Sequence, residues 1–284
     1  MKELIATSRP VSWVNTAYPF AAAYFLTTGR IDWLLIVGTL FFLFPYNLAM
    51  YGINDVFDYE SDLLNPRKGG AEGAVVSRSR HRGILIASAV TCIPFVLVLL
   101  AAGSLTANLV LVLSLAAVLA YSAPKLRFKE RPFIDSATSS IHFVSPALYA
   151  LVLGDAVFTP GLWALLAGYF LWGAASQAFG SVQDILPDRE AGIGSVGTVL
   201  GTRTTVVGSA VTYLGAGVLM LATAWPGPLA ALLTLPYAHN ALRFARLDDG
   251  SSDAANAGWR RFLWLNYVTG FLVTMLLIWY AVLR

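Results

Sequence analysis

The first group of residues that could carry out chemistry is an acidic run that we call the first acidic cluster: Asn54, Asp55, Asp58 and Asp62. Its aspartates are spaced three and four residues apart, and Asn54 lies one turn before Asp58. On a helix this spacing places the side chains on one face, where like charges repel one another. The pattern therefore predicts a cation that compensates the carboxylates.

A second acidic cluster, Asp184 and Asp188, follows later in the chain with a spacing of one helical turn. Gln177, Gly180 and Ser181 continue the same helical face back into the preceding apolar segment. Both clusters thus stand where an apolar segment ends. A single cluster of this kind can be an ordinary charged loop, but the repetition at equivalent positions favours a binding site.

Oxygen ligands of this type suit Mg²⁺, which is usually held by one or two carboxylates together with the phosphates of a substrate. A diphosphate held through Mg²⁺ by the two acidic clusters fits this chemistry. Such a leaving group also needs cationic side chains, because Arg and Lys neutralise phosphate charge. Candidates near the clusters are Arg67, Lys68, Lys125, Arg127, Lys129, Arg131, Arg189 and Arg203.

The composition shows which element must position these residues. Hydrophobic residues make up 57% of the 284 residues and charged residues 12%, against roughly 25% charged residues in soluble domains. The mean hydropathy is +0.66. A chain of this kind is an integral membrane protein with the lipid bilayer as its solvent. The sequence pI of about 9.0 reflects basic loops and does not indicate nucleic acid as a partner.

A membrane-spanning helix needs about 20 mostly apolar residues, and nine such segments are present in an all-α chain. They cover approximately residues 11–28, 33–54, 83–103, 105–122, 133–153, 161–183, 200–222, 227–245 and 261–282. No polar stretch is long enough for a soluble domain, so residues 1–284 are expected to form one transmembrane domain.

The positions of the basic residues predict the orientation. All Lys and Arg residues except Arg30 and Arg284 lie at the N-terminus, in loops that follow even-numbered spans or in the span residues next to those loops. Basic residues concentrate on the cytoplasmic side of membrane proteins. The sequence therefore predicts a multi-pass protein of the cell membrane with a cytoplasmic N-terminus and a C-terminus outside.

The motifs Asn54-Asp55-x-x-Asp58-x-x-x-Asp62 and Asp184-x-x-x-Asp188-x-x-x-Gly192 resemble the paired signatures of the UbiA superfamily of intramembrane prenyltransferases. Nine spans and Tyr121-Ser122-x-Pro124 fit the same superfamily. Within it, residues 8–17, 51–62 and 125–135 are similar to bacterial lycopene elongases.

The resemblance implies nine helices around a central cavity and a diphosphate held through Mg²⁺. It implies that Asn54, Asp55, Asp58 and Asp62 serve one ion and Asp184 and Asp188 the other, with both Asp55 and Asp58 open as the direct ligand. The resemblance assigns Arg67, Tyr121 and Lys125 to the diphosphate, and further candidates for this contact are Asn54, Lys68, Arg127 and Gln183.

The resemblance further implies transfer of a five-carbon group from dimethylallyl diphosphate to the ends of lycopene or a monoprenylated carotenoid. The reaction would pass through an allylic cation, and the final cation would lose a proton or capture water. A downstream carotenoid cyclase is a candidate partner.

Two other functions are also compatible with the sequence. One is transfer of a longer prenyl chain to an aromatic acceptor such as a quinone precursor. The other is transport, but intramembrane acids of transporters are expected near the midplane at broken helices. The acidic clusters stand at the ends of spans, which favours the enzyme.

Overall fold

The computed structural model of the protein describes residues 2–59 and 76–283. Within these two ranges all regular structure is helical, and no strand occurs. In chain order the α-helices are α1 (Lys2–Thr7), α2 (Val14–Thr28), α3 (Trp33–Leu43), α4 (Pro45–Phe57), α5 (Arg78–Ala102), α6 (Leu105–Ser122), α7 (Ile134–Leu153), α8 (Pro160–Ser181), α9 (Ile185–Glu190), α10 (Val196–Leu200), α11 (Thr202–Met220), α12 (Ala230–Leu242) and α13 (Asn256–Val282). The site candidates Asp62, Arg67 and Lys68 lie outside the described residues.

Six segments of the described chain are long and apolar enough to cross a membrane: Trp33–Phe57, Arg78–Ala102, Leu105–Ser122, Ile134–Leu153, Pro160–Glu190 and Asp249–Val282. Each overlaps one of the nine predicted spans. The other three predicted spans contain α2, α11 and α12, of which α2 and α12 have only 15 and 13 residues. The all-helical, multi-pass class is confirmed, whereas the count of nine spans is not.

The predicted span 33–54 is divided into two helices at Phe44, whose φ of −119° departs from helical geometry. The break occurs because Pro45 has no N–H to donate and its ring clashes with the preceding turn. The buried Asn47 amide donates to the carbonyls of Phe42 and Leu43 beside the break, at 2.8 and 3.0 Å. Helix α4 therefore starts anew at Pro45, and Asn54 and Asp55 of the first acidic cluster lie in its last turn.

The contacts of the chain group into two compact units, Met1–Phe128 with Ile141–Ala156 (the N-terminal unit) and Lys129–Ser140 with Val157–Arg284 (the C-terminal unit). A single domain over residues 1–284 stays a prediction. Because each unit contains one of the acidic clusters, the packing inside each unit determines how its cluster is held.

An aromatic core holds α4 in the N-terminal unit. Phe20 of α2, Phe41 and Phe42 of α3, Tyr46 of α4 and Tyr149 of α7 are all fully buried. The ring centroid of Phe42 lies 5.2 Å from that of Phe20 and 5.1 Å from that of Tyr46. Rings at these separations contribute dispersion and quadrupole attraction beyond simple burial.

Close packing of small residues holds α8 in the C-terminal unit. A Cβ atom on Gly168 of α8 would lie 3.1 Å from the Ala216 carbonyl oxygen of α11 and 2.6 Å from the Met220 methyl group, so glycine favours the close approach of the two helices. The Tyr213 hydroxyl of α11 donates to Ser176 Oγ of α8 at 3.0 Å. Small residues and interhelical hydrogen bonds are the usual means by which membrane helices associate.

Candidate active site

The described residues of the first acidic cluster lie at the C-terminal end of α4. Asn54 and Asp55 are in the last turn, and Asp58 is the C-cap residue, with φ −100° and ψ 1°. The Asp58 N–H donates to the Asn54 carbonyl at 2.9 Å, so these two residues are one helical turn apart, as their spacing predicted. Asp55 and Asp58 are only 1% and 5% exposed. Buried carboxylates need cations or hydrogen-bond donors beside them.

Asp55 is paired with Arg9, which the sequence did not indicate as a site residue. Arg9 Nη2 donates to Asp55 Oδ1 at 2.8 Å, and the Asp55 side chain is completely buried. The Arg9 guanidinium also lies over the Tyr51 ring, 4.3 Å from its centroid. An ion pair and a cation–π contact therefore hold the same guanidinium.

Asp58 has a looser cationic neighbour in Arg127, one of the predicted diphosphate-binding residues. Arg127 Nη2 lies 3.8 Å from Asp58 Oδ1, which is longer than a hydrogen bond. Arg127 Nη1 donates to the Phe57 carbonyl at 3.4 Å. The structure thus brings Arg127 to the end of α4.

The end of α6 contacts this cluster through Ser122. Ser122 Oγ donates to Asn54 Oδ1 at 3.0 Å. The ring of Tyr121 packs edge-on against the ring of His142, with centroids 5.2 Å apart. Lys125 follows as an exposed residue with a left-handed φ of 74°. Ser122 was not predicted as a site residue, although it lies inside the motif that contains Tyr121.

The second acidic cluster lies where α8 ends. A 3₁₀ turn, Val182–Asp184, connects α8 to α9, so that Asp184 is the N-cap residue of α9 and Asp188 lies in its first turn. Both side chains are half-buried. This placement agrees with the predicted position of the cluster at the end of a membrane span.

Gln183, predicted to bind the diphosphate, has a buried amide with protein partners on both sides. Its Nε2 donates to the Gly180 carbonyl at 3.1 Å, and its Oε1 accepts from Asn256 Nδ2 at 2.6 Å. Gln183 therefore links the end of α8 to the start of α13. Its contact with a diphosphate stays a prediction.

Arg189, beside Asp188, contacts two protein groups. Its Nη1 donates to Asp249 Oδ2 at 2.6 Å. Its Nε and Nη2 both donate to the Thr198 carbonyl, at 3.1 and 2.8 Å. Asp249 Oδ1 in turn accepts from the N–H of Thr202 at 2.7 Å. Arg189 therefore connects α9 to the residues that follow the second cluster.

The oxygen ligands are of the type that Mg²⁺ prefers. Among residues 2–59 and 76–283, no group of three Asp, Glu, His or Cys side chains is arranged to enclose a metal ion by itself. Mg²⁺ commonly takes only one or two carboxylates and completes its shell with water and substrate phosphates. The oxygens of Asn54 and Asp58, one turn apart, are compatible with that mode.

Comparisons with known proteins agree on one family. The profile of the UbiA prenyltransferase family matches residues 16–266. A C(50) beta-cyclic carotenoids biosynthesis protein of Dietzia sp. (strain CQ4) is 55% identical over 97% of this chain, and the match spans 64% of that protein. A lycopene elongase/hydratase of Corynebacterium glutamicum is 52% identical over 97% of this chain and 96% of that protein.

Two solved structures share the fold. A UbiA homolog from Archaeoglobus fulgidus, bound to DMAPP and Mg²⁺, has a TM-score of 0.67 at 18% identity and covers 94% of this chain and 98% of that chain. The apo structure of a UbiA homolog from Aeropyrum pernix K1 has a TM-score of 0.66 at 22% identity, with coverage of 94% and 99%. The UbiA-type, all-helical fold is thereby confirmed, although the predicted number of nine helices is not.

Proposed function

Because the chain belongs to the UbiA prenyltransferase family, we propose that it transfers a dimethylallyl group from dimethylallyl diphosphate to the ends of lycopene. The chain is a prenyltransferase, and homologues named lycopene elongase/hydratase support carotenoid prenyl transfer. The observation that carries the proposal is the end of α4, where Asn54 and the buried Asp58 lie one turn apart beside Arg127.

In this proposal each acidic cluster contributes oxygens for a Mg²⁺-bound diphosphate. Asn54, Asp58 and Asp62 of the first cluster would hold one Mg²⁺ ion, and Asp184 and Asp188 of the second cluster would hold the other. Asp55 is the less suitable direct ligand, because Arg9 already holds it at 2.8 Å. When bound, Mg²⁺ supplies positive charge that offsets the charge growing on the departing diphosphate.

The chain's own cations complete the binding of the leaving group. Arg127 lies beside Asp58 of the first cluster, and Tyr121 and Lys125, in and just after the last turn of α6, are proposed to contact the diphosphate with it. Arg67, Lys68 and Gln183 are further candidates from the sequence. Preorganised donors of this kind stabilise charge that develops only as the bond breaks, and so they accelerate the reaction.

In the proposed reaction the carbon–oxygen bond of the donor breaks, and its electron pair leaves with the diphosphate. A terminal double bond of lycopene supplies the pair for the new carbon–carbon bond, which leaves a tertiary cation. That cation either loses a proton from a neighbouring carbon, giving an alkene, or binds water, which then loses a proton and gives a hydroxyl group.

A product assay tests this proposal. Expression of the chain in a lycopene-producing host is expected to yield carotenoids heavier than lycopene by one and two five-carbon units. Mass analysis will also show whether water has been added. Unchanged lycopene, together with consumption of a longer prenyl diphosphate on an aromatic acceptor, would move the substrate to the quinone-precursor alternative. Cyclic ends are expected only when a cyclase is co-expressed.

We also propose a cytoplasmic N-terminus, from the distribution of basic residues. The single cysteine, Cys92, is buried, so background labelling by a membrane-impermeant thiol reagent should be low. In whole cells, Asp155→Cys is expected to be labelled from outside, whereas Ser79→Cys should react only after the cells are opened. The opposite pattern would reverse the orientation. Both positions are exposed, so accessibility is matched.

A further inference from the structure

Asp135 is a buried acidic residue outside both acidic clusters. It lies in the first turn of α7 and is 1% exposed. Its Oδ1 accepts from the Ser136 N–H at 2.7 Å, and its Oδ2 accepts from the Val196 N–H at 2.9 Å. A buried carboxylate is tolerated when hydrogen bonds replace its water. Asp135 therefore ties the start of α7 to a residue 61 positions later.

Val196 is the first residue of α10, and the segment around it is closely fitted. Ser195 and Thr198 form a reciprocal capping box, in which each side chain accepts from the other's backbone N–H. A side chain on Gly194 would lie 2.6 Å from the Glu130 carbonyl. The segment that leads into α10 is thus packed against backbone and has little freedom to shift.

Helix α10 contacts residues that flank the second acidic cluster on both sides. Arg189, the neighbour of Asp188, donates twice to the Thr198 carbonyl of α10. A side chain on Gly197 would meet Ser181 Oγ at 2.7 Å, so α10 lies directly against the end of α8 that leads to Asp184. A shift of α10 would therefore be transmitted to both aspartates.

We infer that Asp135 is a positioning residue for the second acidic cluster, acting through its hydrogen bond to Val196 and the contacts of α10 with α8 and α9. The inference rests on the proposed function, since it concerns the same Mg²⁺–diphosphate site. Metal ligands must be held to within about 0.5 Å of their productive positions, and short helices such as α9 need external support to achieve this.

The substitution Asp135→Asn tests the inference. The Asn side chain keeps the shape but has one acceptor oxygen, so either the Ser136 or the Val196 N–H loses its partner. We expect the Mg²⁺ concentration for half-maximal stabilisation by inorganic pyrophosphate to rise about tenfold. This is measured as the increase in unfolding temperature of the purified protein in detergent, which requires no acceptor substrate.

Asp32→Asn is the matched control, because Asp32 also accepts two hydrogen bonds at the start of a helix. Its Oδ1 accepts from the Leu35 N–H at 3.0 Å and its Oδ2 from the Tyr24 hydroxyl at 3.0 Å. This variant is expected to lose stability without any change in the Mg²⁺ requirement. An unchanged Mg²⁺ requirement in Asp135→Asn, or an equal shift in Asp32→Asn, overturns the inference.

If Asp135→Asn does not accumulate as folded protein, Thr198→Val is a smaller perturbation, which removes the capping-box hydrogen bond from the Ser195 N–H to Thr198 Oγ1. A smaller rise in the Mg²⁺ concentration for half-maximal stabilisation is then expected, and the absence of any rise overturns the inference. Wild-type protein that pyrophosphate and Mg²⁺ together fail to stabilise would instead contradict the proposed donor site itself. The two failures can therefore be told apart.

Discussion

Asp58→Asn is expected to lower the formation of elongated carotenoid at least about 10²-fold, while the protein still inserts into the membrane. The Asp58 side chain is 6% exposed at the end of α4, and Asn has nearly the same size. The substitution therefore removes a charge and leaves the packing intact. What is lost is a ligand for the cation that offsets charge on the departing diphosphate.

Asp184→Asn is expected to lower the formation of elongated carotenoid by a similar factor, because the second acidic cluster is proposed to bind the same diphosphate. The measurement is the yield of elongated carotenoid per amount of membrane-inserted protein in a lycopene-producing host. Asp253→Asn is the matched control, since Asp253 is exposed and has no role in the proposed site. Near-normal yield from either Asp58→Asn or Asp184→Asn would contradict the assigned metal ligands.

Arg9→Met is expected to lower the free energy of unfolding by about 3 kcal/mol, because it leaves the buried Asp55 carboxylate without its Arg9 partner. The Arg9 side chain is 21% exposed and that of Asp55 is fully buried, so solvent can replace only part of the interaction. For a chain of this size the loss corresponds to a decrease of about 5 to 10 °C in unfolding temperature.

The double variant Arg9→Met with Asp55→Asn should recover most of this loss, since the unpaired charge is then gone. The free energy of unfolding of Arg9→Lys should lie between those of the wild type and Arg9→Met. Lys keeps the charge but lacks the planar fork that pairs with Asp55 and stacks on Tyr51. Thermal unfolding of the wild type, Arg9→Met, Asp55→Asn and the double variant in detergent gives the coupling energy between the two sites. Strictly additive losses in the double variant would show that the pair does not matter for stability.

The same series separates the roles of the two neighbouring acids. We expect Asp55→Asn to keep the wild-type Mg²⁺ requirement while it loses stability. Asp58→Asn should show the reverse, a weaker response to Mg²⁺ with little change in unfolding temperature. The distinction follows from the 2.8 Å contact of Asp55 with Arg9 and the 3.8 Å contact of Asp58 with Arg127.

The sequence by itself determined the class of protein and the chemistry of its clusters. Long apolar runs and the spacing of Asn54 with Asp58 are local signals, because they depend only on the rise and period of one helix. For the same reason the positions of both acidic clusters at the ends of helices were predictable. The break at Pro45 has a local signal too, although the prediction joined α3 and α4 into one span.

Only the tertiary structure decided which groups surround the clusters. Arg9 meets Asp55 across 46 positions, Arg127 contacts Phe57 across 70, and Gln183 pairs with Asn256 across 73. Helical periodicity carries no information about such pairs, because they depend on which helix faces pack together and where loops return. The sequence therefore could not show which of the basic residues lie beside an acidic residue. Packing alone assigned Arg9 to Asp55, Arg127 to Asp58 and Arg189 to Asp249.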